Sequence, residues 1–173
     1  MPDFLAFAEV GDRRYRERFG LDFEQFAVGQ RFRHRPGLTL SQQDSRDECL
    51  DTLNQQMLHF DEAFARHTEW GRCLMDSTLT TKVLIGMGWK TFAKRVRLLR
   101  CDEITLTKPM FGGDTLYAES EILAVADWPD DARLGRLKIR TTGTNQDSVA
   151  VARVVFDLLV TRAGHDPLPG LGY

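Results

Sequence analysis

From Lys94 onward the sequence alternates apolar and polar residues over four long segments: RVRLLRCDEITLTKP, DTLYAESEILAVADW, GRLKIRTTGTNQ and SVAVARVVFDLLVTRA. A period of two sends successive side chains to opposite faces, so each segment reads as a half-buried strand. The breaks between them carry turn chemistry: Pro109 and the Phe111–Asp114 run FGGD, the loop WPDDARLG, and the tight turn NQDS. Four consecutive strands with short links predict an antiparallel sheet, and its apolar face must be covered. One upstream segment is apolar enough to do so. STLTTKVLIGMGWK begins at Ser77, and Leu79, Val83, Leu84 and Met87 spread around most of a helix there. Thr78, Thr80 and Thr81 are poor helix formers, so packing rather than propensity has to hold it. The expectation is an α+β fold in which a sheet wraps around one central buried helix.

Ahead of that helix the chain is mostly helical. Residues 1–20 run from apolar to strongly basic (RRYRER) and read as a short amphipathic arm that packs on the body or on a partner. Residues 21–165 form one domain, and 166–173 form a Gly- and Pro-rich tail. A short strand after FEQFAVGQ is predicted to end at Pro36 and Gly37. Ser41 and Asp44 have capping-box spacing and open a helix that ends near Asn54, with Cys49, Leu50 and Leu53 as its inner face. A second short helix is capped by Asp61 and stopped by Gly71; Asp76 or Ser77 caps the third.

Composition narrows the function. The 173 residues carry a net charge of -2, which argues against nucleic-acid binding by bulk charge. No apolar run approaches membrane-spanning length, and the N-terminus shows no signal-like pattern. Three widely spaced cysteines without a CxxC suit neither a disulfide framework nor a zinc site and fit a reducing cytoplasm. No metal-ligand spacing is visible. What stands out is a polar stretch just before the apolar helix, in which Asn54, Gln56, His59 and Asp61 precede Asp76 and Ser77. Read from residues alone, His59 is either a base or a polar side chain at a helix start, and Asp76 is either a functional carboxylate or a plain N-cap.

From about Phe23 to Ala163 the chain resembles the MaoC-like type 2 enoyl-CoA hydratases. In that family a Gly-Asp-x-Asn-Pro-Ile-His-x-Asp segment precedes the central helix; here Leu53–Asp61, LNQQMLHFD, occupies it. The catalytic histidine of the family falls on His59 and its aspartate on Asn54. A narrower resemblance is to the mesaconyl-CoA hydratase-like, or MaoC family dehydratase, branch. It is carried by Asn54-x-x-x-Leu58-His59-Phe60-Asp61, by Trp70–Thr80 (WGRCLMDSTLT) and by Pro109–Glu121 (PMFGGDTLYAESE). That branch usually has Asn where this chain has Asp76.

The resemblance implies a hotdog fold and reversible addition of water to a 2-enoyl-CoA, possibly with a short branched or dicarboxylic acyl chain. His59 would be the base. Asn54 would position water, or Asp76 would be recruited as the missing carboxylate. The Ser77 N–H at the helix start would bind the thioester oxyanion. Gln56, Lys82 and Lys94 would contact substrate, with Lys90 and Arg95 also placed to meet phosphates. The CoA thioester is then a substrate, with no further cofactor or metal, in a homodimer or higher homo-oligomer. Two alternatives remain open at this level: a hotdog thioesterase in which Asp76 directs water to the carbonyl, and a non-catalytic acyl-thioester binder, which the missing carboxylate at position 54 would suit.

Overall fold

A computed structural model describes residues 6–165; the first five residues of the arm and the 166–173 tail lie outside the described residues. The chain opens with a hairpin of β1 (Phe7–Gly11) and β2 (Arg14–Glu17). β3 (Arg31–Thr39) leads into α1 (Gln42–Thr52), the short α2 (Glu62–Ala65) and α3 (Ser77–Gly86). β4 (Arg95–Leu106), β5 (Thr115–Asp127), β6 (Leu134–Thr144) and β7 (Ala150–Thr161) then follow. β3 to β7 form one antiparallel sheet in the order β3-β5-β6-β7-β4, so the period-two segments are strands, as their alternation predicts.

The alternation sets the two faces of the sheet. Along β6, Leu137, Ile139 and Thr141 are buried while Arg136, Lys138 and Arg140 between them point outward. The buried set meets Leu116, Ile122, Val154, Phe156 and Leu158 from neighbouring strands, and Leu79 and Leu84 of α3 close the core above them. Contact between helix and sheet is tight. A Cβ at Gly143 would sit 3.1 Å from a Leu84 methyl and 3.0 Å from a Leu116 methyl, so a larger residue there would press on both leucines. Leu84 is fully buried, which is worth about 1.5–3 kcal/mol in transfer free energy. The outer face is a charged carpet: Arg140 meets Glu121 at 2.6 Å and Arg33 meets Glu119 at 3.0 Å. Such exposed pairs contribute little stability individually.

Four expectations need correction. β3 does not stop at Pro36–Gly37 but continues to Thr39, with an irregularity between His34 and Leu38. β3 is the outermost strand of its sheet, where a missing N–H is tolerated. The inner face of α1 is not Cys49, Leu50 and Leu53: Leu50 and Leu53 are exposed, and the buried residues are Ser45, Glu48 and Cys49. α2 ends at Ala65, well short of Gly71. α3 is not buried on nearly all sides, since Thr78, Lys82 and Gly86 form an exposed row at helical spacing. The described part of the arm is a hairpin whose base is tied to the turn after α3, with Gly20 N–H donating to the Lys90 carbonyl and Lys90 paired with Glu17 at 3.0 Å.

Candidate active site

The polar stretch is shaped by three successive chain reversals. Ser41 and Asp44 close a reciprocal capping box, and α1 ends at Leu53, which adopts a left-handed conformation (φ 56°). Asn54 follows, with its N–H on the Cys49 carbonyl at 2.9 Å. A 3₁₀ turn at Met57–His59 comes next, capped by the Gln56 side chain, and Asp61 caps α2 through the Phe64 N–H at 3.0 Å. The chain returns at Leu74, whose N–H donates to the Leu58 carbonyl at 3.1 Å. Asp76 then caps α3.

His59 is half-buried and held on two sides. Its carbonyl accepts from Gln42 Nε2 at 2.9 Å. Its Nδ1 lies 3.3 Å from the Leu74 carbonyl oxygen. A carbonyl only accepts, so Nδ1 carries the proton in the neutral ring and Nε2 keeps a free lone pair. That is the tautomer a general base needs.

Asn54 and Asp76 meet directly: Asn54 Nδ2 donates to Asp76 Oδ2 at 2.5 Å. The amide orientation of Asn54 is set at both ends, because its Oδ1 accepts from the Gln56 N–H at 3.0 Å. Asp76 has no exposed surface. Its Oδ1 accepts from the Thr78 N–H and hydroxyl, both at 2.6 Å, and its Oδ2 also receives the Cys49 thiol at 3.5 Å. Burial pushes the Asp76 carboxyl up, but the bonds from Thr78, Asn54 and Cys49 outweigh it and hold the group below its ordinary value. The same arrangement raises Cys49 to about 11, first through burial and then through the adjacent Asp76. An ionised carboxylate with no exposed surface, bonded by the Thr78 N–H, Asn54 and Cys49, anchors its neighbours and is not placed to take a proton from water.

Three residues that matter here were not singled out from sequence. Ser45 Oγ accepts the Asp76 N–H at 2.8 Å. Glu48 is buried, pairs with Lys82, and receives the Thr78 hydroxyl at 2.8 Å. That hydroxyl has one hydrogen and faces both Glu48 and Asp76. Gln42 is the third. Ser45, Glu48 and Cys49 have i, i+3, i+4 spacing, a readable signal that the exposed leucines obscured.

Of the residues expected to touch substrate, Lys82 is engaged by Glu48 and Lys94 pairs with Asp22 at 2.5 Å. Gln56 is exposed and caps the 3₁₀ turn. Ser77 is the first residue of α3, so its N–H is among those a helix leaves without an internal partner. Among the described residues no group of His, Cys, Asp and Glu is placed to hold a metal, and no helix is long and apolar enough to cross a membrane.

Known proteins share this fold. The β-methylmalyl-CoA dehydratase of Chloroflexus aurantiacus is 25% identical over 122 residues, covering 70% of this chain and 35% of that protein. The chain thus spans about a third of that relative's length. A structure described as a putative MaoC domain protein dehydratase, also from Chloroflexus aurantiacus, superposes with a TM-score of 0.79 at 23% identity, over 83% of this chain and 45% of the other. A double-hotdog protein of Mycobacterium tuberculosis superposes with a TM-score of 0.76 at 22% identity, over 87% and 47%. These likenesses establish the hotdog fold. The chain belongs to the mesaconyl-CoA hydratase family, whose model matches it over residues 1–151.

Proposed function

We propose that the protein is a hydratase/dehydratase of acyl-CoA thioesters that uses His59 as its only base. The observation that carries this reading is the contact of His59 Nδ1 with the Leu74 carbonyl, which leaves Nε2 as acceptor. In the hydration direction Nε2 removes a proton from water as the water oxygen bonds to C3 of the enoyl chain. Electrons move through C2 to the thioester oxygen, where the Ser77 N–H stabilises the charge. The imidazolium then returns its proton to C2, so H and OH add on one face. Asn54 holds the water through its second amide hydrogen, and Asp76 holds Asn54. Water addition changes no oxidation state, so the scheme needs no redox cofactor.

The thioesterase alternative needs Asp76 to activate water, and the buried, saturated carboxylate does not favour it. One assay separates the readings. Enoyl-thioester absorbance should fall with no free thiol released; thiol release instead would mean hydrolysis, and neither signal from folded protein would leave a binding role.

The proposal includes a homodimer in the cytoplasm. β4 is an edge strand with Val96, Leu98, Ile104 and Leu106 exposed, and another copy would cover it. Cys49, Cys73 and Cys101 are all free thiols, as a reducing compartment would keep them. Light scattering should give twice the chain mass at micromolar concentration.

A further inference from the structure

Beside the His59 loop lies a cleft of about 550 Å³ whose lining includes Ser41, Gln42, Glu62, Arg66, Arg72 and Gly112. Its charge is lopsided. Glu62 is neutralised by Arg46, whereas Arg66 and Arg72 make no ion pair among the described residues. Arg72 is also held in place, with its guanidinium 3.7 Å from the centre of the Phe111 ring. Such stacking fixes the plane of the group while leaving its N–H edge open to a ligand. The floor is close-packed backbone: a Cβ at Gly112 would lie 2.8 Å from the Gln42 nitrogen, so only glycine fits.

The cleft shares a wall with the catalytic loop. Gln42 lines it and donates through Nε2 to the His59 carbonyl, with the Leu74 carbonyl 3.4 Å away. Arg72 is two residues from Leu74, at most about 7 Å of chain. A charged group on a ligand seated at His59 is therefore within reach of this cleft.

We propose that the cleft is an oxyanion subsite, in which Arg72 and Arg66 hold a carboxylate or phosphate carried by the thioester substrate. The inference rests on the hydratase reading. The anion has two possible sources, a free carboxylate on the acyl chain or the phosphates of CoA. Arginine binds both groups with paired N–H bonds.

The test is steady-state kinetics of wild type, Arg72→Gln and Arg66→Gln on three thioesters: mesaconyl-CoA, crotonyl-CoA and crotonyl-N-acetylcysteamine. Both side chains are exposed, so the variants should fold, and circular dichroism checks this. Loss of one charge-assisted contact should raise KM about 10- to 100-fold. A rise for mesaconyl-CoA alone supports the cleft with the acyl carboxylate as source. A rise for both CoA esters, with the phosphate-free thioester unaffected, supports it with CoA phosphate as source. Unchanged KM throughout, or an equal rise for all three, overturns the subsite. If wild type turns over no thioester, the hydratase reading has failed, and calorimetric titration with inorganic phosphate and malonate decides the cleft separately. Binding lost in Arg72→Gln retains the oxyanion site; no binding by wild type overturns it.

Discussion

Asn54 and Asp76 are joined by a 2.5 Å hydrogen bond from an amide nitrogen to a carboxylate oxygen, across 22 residues of sequence. The carboxylate sits at the buried cap of α3 and the amide sits on the loop that carries His59. The negative charge is therefore buried, and the amide that meets it is held in one orientation by bonds at both ends.

That pairing predicts a reciprocal dependence. Asn54→Asp would bring two carboxylates to hydrogen-bond distance, so one must take up a proton or move away. It should destabilise the protein by about 1–3 kcal/mol and lower turnover. Asp76→Asn keeps a cap but loses the charge that Thr78, Asn54 and Cys49 all address. The double exchange should recover much of the lost stability, because one carboxylate and one amide again face each other. Denaturant melts of the four proteins check this; additive losses would mean that the two residues are not coupled.

His59→Ala should lower hydration turnover by about 10²- to 10⁴-fold with little change in thioester affinity. Stopped-flow absorbance of an enoyl thioester, together with a binding isotherm, gives both quantities. A variant that keeps more than half the wild-type rate would remove His59 from the mechanism.

Ser77→Pro should abolish activity and Ser77→Ala should spare most of it, because the proposed oxyanion donor is the backbone N–H. Proline suits the first helical position. Asp76 before it already has the extended conformation (φ -62°, ψ 136°) that a residue preceding proline prefers. Circular dichroism should therefore show both variants folded. Equal damage from both would assign the role to the hydroxyl.

A pH effect on stability is expected from His34, on β3. Its Nε2 lies 2.7 Å from Ser120 Oγ, which in turn meets Thr141 Oγ1 at 2.7 Å, all buried. Burial holds the His34 imidazole below its ordinary value of 6.5; the charge of Arg35 adds to this and Glu119 opposes it. The unfolded chain therefore binds a proton near pH 6.5 that the folded chain resists. This contribution is fully present above that pH and is lost as pH falls below it, by up to about 1.4 kcal/mol per pH unit. Thermal melting from pH 8 to pH 5 should show the decline. A His34→Gln variant should lose that component of it.

Local patterns were enough to determine several features of this protein. Alternation of side chains specifies strands without reference to any partner, and β4 to β7 follow it. Ser41 with Asp44, and Asp61 with its helix, are caps made within three residues, so their chemistry is complete in the sequence. The resemblance around His59 and Pro109–Glu121 carried the family. Tertiary structure decided what depends on distant segments. Which side of α1 faces inward was set by α3: Glu48 lies under Lys82 and Thr78, while Leu50 and Leu53 are left in solvent. Pro36 stays within β3 because that strand lies at a sheet edge, a position known only once the strands are ordered. Whether Asp76 served as a cap or as a partner to the His59 loop was undecidable locally. It is both, because folding brings Asn54 to a carboxylate whose other oxygen already caps α3, and burial makes each of those hydrogen bonds costly to leave unmade.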